Sequence, residues 1–184
     1  MTTTPEFAKN FGAHPVPEAL QQLLKFQEAT GFESYSEGFG LLHDDKSGLQ
    51  HGWSDHPDFL ARLYPFAQAN GSGSFYALWQ YDDTTDFSEL PVVVFGDEGG
   101  EFVIAENITG LLQLITFDSE PMIYEEITFY KDEDDEPSEY IDAYKEWLLR
   151  QFKLEPVEDT THIITKAQEK HQAAFDAWKQ QYFG

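Results

Sequence analysis

Residues 63–130 contain no lysine or arginine, yet they carry the two runs most like strands, Phe75-Tyr76-Ala77-Leu78-Trp79 and Pro91-Val92-Val93-Val94-Phe95. Twelve Asp and Glu share that span, and Asp132-Glu133-Asp134-Asp135-Glu136 follows it. Residues 63–142 hold 19 acids against one base, Lys131, so −18 of the formal net charge of −23 sits in fewer than half of the 184 residues. Such a chain has to build a sheet while keeping charge of one sign in water. Self-repulsion works against the compact state, and the same field draws in cations and basic surfaces from a distance. An apolar share of 41% and an aromatic share of 16% supply the core that a disordered acidic chain would lack. The pattern points to a binding partner rather than to a reaction.

The length suits one domain with a sizeable core. We read residues 1–184 as that single domain, with a core over 1–130 and an acidic loop plus a C-terminal helical extension over 131–184. The absence of cysteine removes disulfide and thiolate chemistry. No window approaches the roughly 18 apolar residues of a membrane span. The opening Met1-Thr2-Thr3-Thr4-Pro5-Glu6 lacks the positive start and apolar run of a signal peptide, so a cytoplasmic protein is expected. Phosphate backbones are bound by Lys and Arg, so direct binding of nucleic acid is not expected, nor is docking on an anionic membrane.

Local patterns give an α+β order. Residues 1–17 read as mixed and partly loose. Leu20, Leu23, Leu24 and Gln27 fall on one helical face over 18–30, and Gly31 stops the helix. Residues 32–53 read as irregular, with a short strand near Gly40-Leu41-Leu42. A short helix over 58–64 ends before Pro65. Strands follow over 74–80, 91–95 and 101–105, the last two joined by the turn Asp97-Glu98-Gly99-Gly100. Asn107 caps a helix to Phe117. Residues 122–130 read equally as strand or helix. Ser138 caps a helix to Phe152, and a last helix spans 159–182. The expectation is a mostly antiparallel sheet with helices packed on one side, plus two C-terminal helices.

These core residues resemble a known family. Phe66-Ala67, the turn Gly71-Ser72-Gly73, the strand ending in Trp79, the strand Pro91 to Phe95 with Gly96-Asp97-Glu98-Gly99, then Phe102-Val103-Ile104-Ala105 and an Asn-capped apolar helix resemble the SMI1/KNR4 (SUKH) superfamily. The resemblance covers residues 64–117 and is one of core pattern, not of catalytic signature. It implies helices behind an antiparallel sheet. It also implies an immunity protein that neutralises a cognate bacterial toxin of nuclease or deaminase type, or a cytoplasmic adaptor. The family shares no catalytic centre, so the resemblance carries over no catalytic residue.

Two readings of the acidic middle stand side by side: general solubilisation, or a surface that occupies a basic, phosphate-binding site on a partner protein. For the second, the contact candidates are Asp82, Asp83, Asp86, Asp97, Glu98 and Glu101, in loops beside strands, with Trp53, Tyr81 and Phe87 as aromatic anchors. Trp79 reads as core, its indole N–H paired at the rim. Asp82-Asp83-Thr84-Thr85-Asp86 lacks the Gly and closing Glu of an EF-hand loop. His43, His51 and His56, with Asp44 and Asp45, are the nearest approach to a metal-dependent hydrolase, but without a ligand spacing. No P-loop, dinucleotide fingerprint or nucleophile elbow is present. No metal, cofactor or catalytic residue is assigned.

Overall fold

The computed structural model describes residues 1–183. Helix α1 (Thr4–Ala8) and α2 (Glu18–Thr30) precede strand β1 (Gly40–Leu41), α3 (Ser47–Gly52) and α4 (Pro57–Ala61). Strands β2 (Leu63–Gln68), β3 (Phe75–Trp79), β4 (Val92–Phe95) and β5 (Glu101–Ala105) complete a five-stranded antiparallel meander in the order β1-β2-β3-β4-β5. Helix α5 (Ile108–Leu114), the hairpin β6 (Pro121–Ile123) and β7 (Ile127–Phe129), and helices α6 (Ile141–Phe152) and α7 (Thr161–Lys179) follow. No helix among the described residues is long and apolar enough to cross a membrane.

The fold is α+β with an antiparallel sheet, as expected, but the expectation of helices on one side is corrected: α3, α4 and α7 cover the face opposite α2, α5 and α6, so the two C-terminal helices lie on opposite sides. Tyr76, Leu78, Val92, Val94 and Ile104 point to one face and pack on α2, α5 and α6. Ala77, Trp79, Val93, Phe95 and Val103 point to the other, where Leu49 of α3, Phe59 of α4, and Ala167 and Phe175 of α7 cover them. Both faces are therefore buried. That is why β3 and β4 read as continuous apolar runs instead of alternating ones. Residues 131–183 share both cores, through Tyr144 and Leu148 on one side and Phe175 on the other.

Several local expectations need correction. Residues 1–17 are ordered: Thr3 and Glu6 form a capping box for α1, and Phe7 and Phe11 are buried. The helix expected over 58–64 ends at Ala61, and Leu63, Tyr64 and Pro65 lie inside β2. A register shift between Pro65 and Ala67 lets the strand carry a residue with no N–H to donate. Residues 122–130 form a hairpin, with Glu125 and Glu126 in its turn. Ser138 does not cap α6 with its side chain; its hydroxyl donates to Asp118 Oδ1 at 2.6 Å. The Trp79 indole N–H, expected to be paired at the rim, is buried without a protein partner among the described residues.

Candidate functional site: an acidic end of the sheet

Antiparallel pairing decides which carboxylates meet. β3 runs from Phe75, opposite Phe95, to Trp79, whose N–H donates to the Pro91 carbonyl. The loop after β3 therefore leaves one end of the sheet, and the β4–β5 turn lies at the other. At ~3.3 Å per residue the two ends are roughly 13 Å apart or more. Asp82, Asp83 and Asp86 are thus separated from Asp97 and Glu98, and the expectation of one patch built from all six acids is corrected.

At the far end Arg62 supplies the one counter-charge among the described residues, while Asp82, Asp86 and Glu89 stay exposed without an ion pair. Arg62 donates to the Asp82 carbonyl at 2.7 Å and pairs with the Asp83 carboxylate at 2.9 Å. Asp86 accepts from the Ser88 N–H and hydroxyl, which holds its carboxyl below the usual range. Phe87 is buried against Tyr64 and His14, so it is no contact residue. Tyr81 is half exposed and lies over Trp79 and His171.

Glu101 and Trp53 are likewise structural. Glu101 faces α7, where Lys179 Nζ approaches it at 2.8 Å, and its other oxygen accepts from Trp53 Nε1 at 3.1 Å. Trp53 packs edge-on against Phe95 and Phe75. An ion pair so enclosed presents no free charge to a partner.

Asp97 and Glu98 lie at the other end, and there the fold adds further acids and an apolar face to them. Ser74 and Ser72 hydroxyls donate to Asp97 at 2.7 and 3.0 Å, and the Ser74 bond is the main cause of its lowered pKa. Asp97 therefore stays ionised at any physiological pH. Glu98 is exposed in the turn beside it, where Gly99 and Gly100 supply the positive φ that the tight hairpin requires. The β6–β7 hairpin lies alongside: Asn70 Nδ2 donates to the Pro121 carbonyl, and the Gly71 N–H to Glu120 Oε1 at 2.8 Å. Tyr124 lines a shallow cavity of about 280 Å³ together with Asp97, Glu98 and Glu120. Glu37 joins from the segment after α2. Its carboxyl is pushed up first by burial and then by Glu120, Asp118 and Asp135, so these four acids feel one another.

The one base of residues 63–142 does not relieve this charge. Lys131 Nζ lies 3.6 Å from Asp118, a buried carboxylate that also accepts from the Glu37 N–H and from the Ser138 N–H and hydroxyl. Glu125, Glu126 and Asp132-Glu133-Asp134-Asp135-Glu136 are all exposed. Ion pairs among the described residues engage only Asp83, Glu101, Glu106, Asp118 and Asp176 out of 34 acids. Glu37, Asp97, Glu98, Glu125, Glu126 and the five acids of 132–136 thus bring ten exposed carboxylates without an ion pair to this side of the molecule.

Sequence reasoning missed the apolar part of this surface. Strand alternation places Met122, Tyr124, Thr128 and Tyr130 on the outward face of the β6–β7 hairpin, while Ile123 and Phe129 turn inward. Tyr124 is 67% exposed and Tyr130 65%, and Met122 lies between them in the ladder. The period-2 pattern was the available signal, masked by the helical character of Glu125-Glu126.

The histidines do not converge. His43 Nδ1 bonds Asn10 Oδ1, His51 Nδ1 the Ser47 carbonyl, and His56 accepts from the Asp58 N–H at a helix start. Among the described residues no three His, Asp or Glu are placed to hold a metal ion. Compared with protein-family models, with curated proteins and with solved structures, the chain matches none.

Proposed function

We propose that this chain is a non-catalytic binding protein that docks a basic partner protein on the acidic end of its sheet, as an immunity-type inhibitor docks a toxin. One observation carries the reading. Exposed carboxylates from four separate segments gather round an outward face bearing Met122, Tyr124 and Tyr130, and Lys131, the one base of residues 63–142, is spent on the buried Asp118. Exposed tyrosines ringed by charge have the make-up of an interface anchor: the rings supply contact area, and the charge supplies steering. Long-range attraction of this kind raises association rates from about 10⁵–10⁶ toward 10⁸ per molar per second at low salt. A toxin whose active site binds phosphate with Lys and Arg presents the complementary field. The adaptor reading, with docking through the C-terminal helices, has less to work with, because the apolar faces of α6 and α7 are committed to the core.

Titration with the protein encoded by the neighbouring gene tests the proposal. Affinity should fall at least about tenfold between low and high salt, as screening requires. It should fall again when Asp97, Glu98, Glu125 and Glu126 are changed to their amides. Binding that ignores both changes would overturn the reading.

A further inference from the structure

At three strand edges among the described residues, side chains cap the outward main chain. At the β1 edge, Gln27 of α2 accepts from the Leu41 N–H at 2.7 Å and donates to its carbonyl at 2.9 Å. At the β5 edge, Gln172 of α7 accepts from the Val103 N–H at 2.8 Å, and Gln168 donates to its carbonyl at 3.2 Å. At the β6 edge, Asn70 donates to the Pro121 carbonyl. Caps of this kind prevent a sheet from pairing with a foreign strand.

The β7 edge has no such cap. Tyr124 N–H donates to the Glu126 carbonyl, so ladder alternation makes Met122 and Thr128 a hydrogen-bonded pair. Ile127 and Phe129 then turn their N–H and C=O groups away from β6. Neither makes a main-chain hydrogen bond outside its own hairpin among the described residues. Along this edge runs an open cleft of about 470 Å³. Residues 125–129 all line it and no β6 residue does, which sets it beside the strand rather than over one face. Its far wall is α7, at Ile164 and Gln168. Phe102, Phe117 and Phe129 give it apolar surface, with Phe117 edge-on to Phe129. Glu125, Glu126, Glu158 and Asp159 add four carboxylates, and no Lys, Arg or His is in the lining.

Resting on the function proposed above, we propose that β7 accepts an extended, basic segment of the partner protein as a third strand, laid in the cleft between β7 and α7. Main-chain bonds to Ile127 and Phe129 fix the segment. Its alternate side chains meet the phenylalanines on one side and the carboxylates on the other. A charge-complementary peptide of alternating character is the occupant that satisfies both walls.

A seven-residue peptide alternating Lys and Val, blocked at both ends, tests this against the isotope-labelled full chain. Amide exchange at Ile127 and Phe129 should slow by at least about tenfold on binding, and replacing Lys with Glu should abolish binding. Of the two alternately N-methylated forms, one should bind and the other should not, because only every second amide faces β7. Equal binding by both forms, unchanged exchange at Ile127 and Phe129, or no binding would overturn strand addition. Binding elsewhere on the acidic end would leave the docking proposal intact while removing this one. Binding confined to residues 82–86 would remove both.

Discussion

Phe175→Ala measures how far α7 belongs to the core. Phe175 is fully buried, edge-on to Trp79 at 5.1 Å, stacked with Trp178 at 5.9 Å and near Phe95, with Lys179 Nζ 5.3 Å from its ring centre. Truncating a buried Phe costs about 3–5 kcal/mol, the sum of lost transfer energy and an unfilled cavity. That is a large part of the roughly 5–15 kcal/mol typical of a domain. With a urea slope of about 2 kcal/mol per molar, the unfolding midpoint should drop by about 1.5–2.5 M. Tryptophan fluorescence is a suitable assay because Trp79 and Trp178 border the cavity. Leu149→Ala, on the exposed side of α6, should stay within about 0.5 kcal/mol. A Phe175→Ala midpoint within about 0.5 M of the parent protein would show α7 to be a peripheral helix. It would also remove the cleft's far wall as a fixed element.

Two pH-linked predictions follow from placed charges. Burial, then Glu120, Asp118 and Asp135, raise the Glu37 pKa, so the folded state binds that proton better than the unfolded chain. Its contribution grows as pH falls through the folded value and becomes a penalty at neutral pH. Glu37→Gln should raise the urea midpoint at pH 7 and lose that advantage in the carboxylate range; a lower midpoint at pH 7 would contradict it. His171 is buried beside Tyr81, and its pKa is lowered first by burial and then by Lys170, with Glu106 opposing. Above the usual His value of about 6.5 it costs nothing. As pH drops below that value the unfolded chain takes up a proton the folded one resists, weakening folding by up to about tenfold per pH unit until the folded pKa is reached. His171→Gln should flatten stability through this window, and an unchanged pH profile would rule the effect out.

Much of the fold was legible where local chemistry and packing agree. Leu20, Leu23, Leu24 and Gln27 at helical spacing, followed by Gly31, mark α2 over its observed range. The apolar runs of β3 and β4 and the Asn107 cap, whose side chain accepts from the Gly110 N–H, were equally plain. Pro65 concealed β2 because a bulge is a tertiary accommodation that the residue alone does not announce. α1 was readable from Thr3 and Glu6 but was too short to suggest that it buries Phe7. The site was less legible because charge density along a chain is not charge density in space. Residues 82–86 and 97–98 are neighbours in sequence and lie at opposite ends of β3. Glu101 looked free until α7 brought Lys179 to it, and Glu37, distant in sequence, joined the acidic end.

Amide NMR mapping of a decalysine titration at low salt reads whether free negative charge gathers at the end bearing Asp97, Glu98 and the β6–β7 hairpin. Salt-sensitive shifts should centre on residues 97–100, 124–126 and 132–136, be reduced by Asp97→Asn with Glu98→Gln and be unaffected by Asp82→Asn with Asp86→Asn. Shifts spread evenly over the molecule, or centred on residues 82–86, would contradict that gathering of charge.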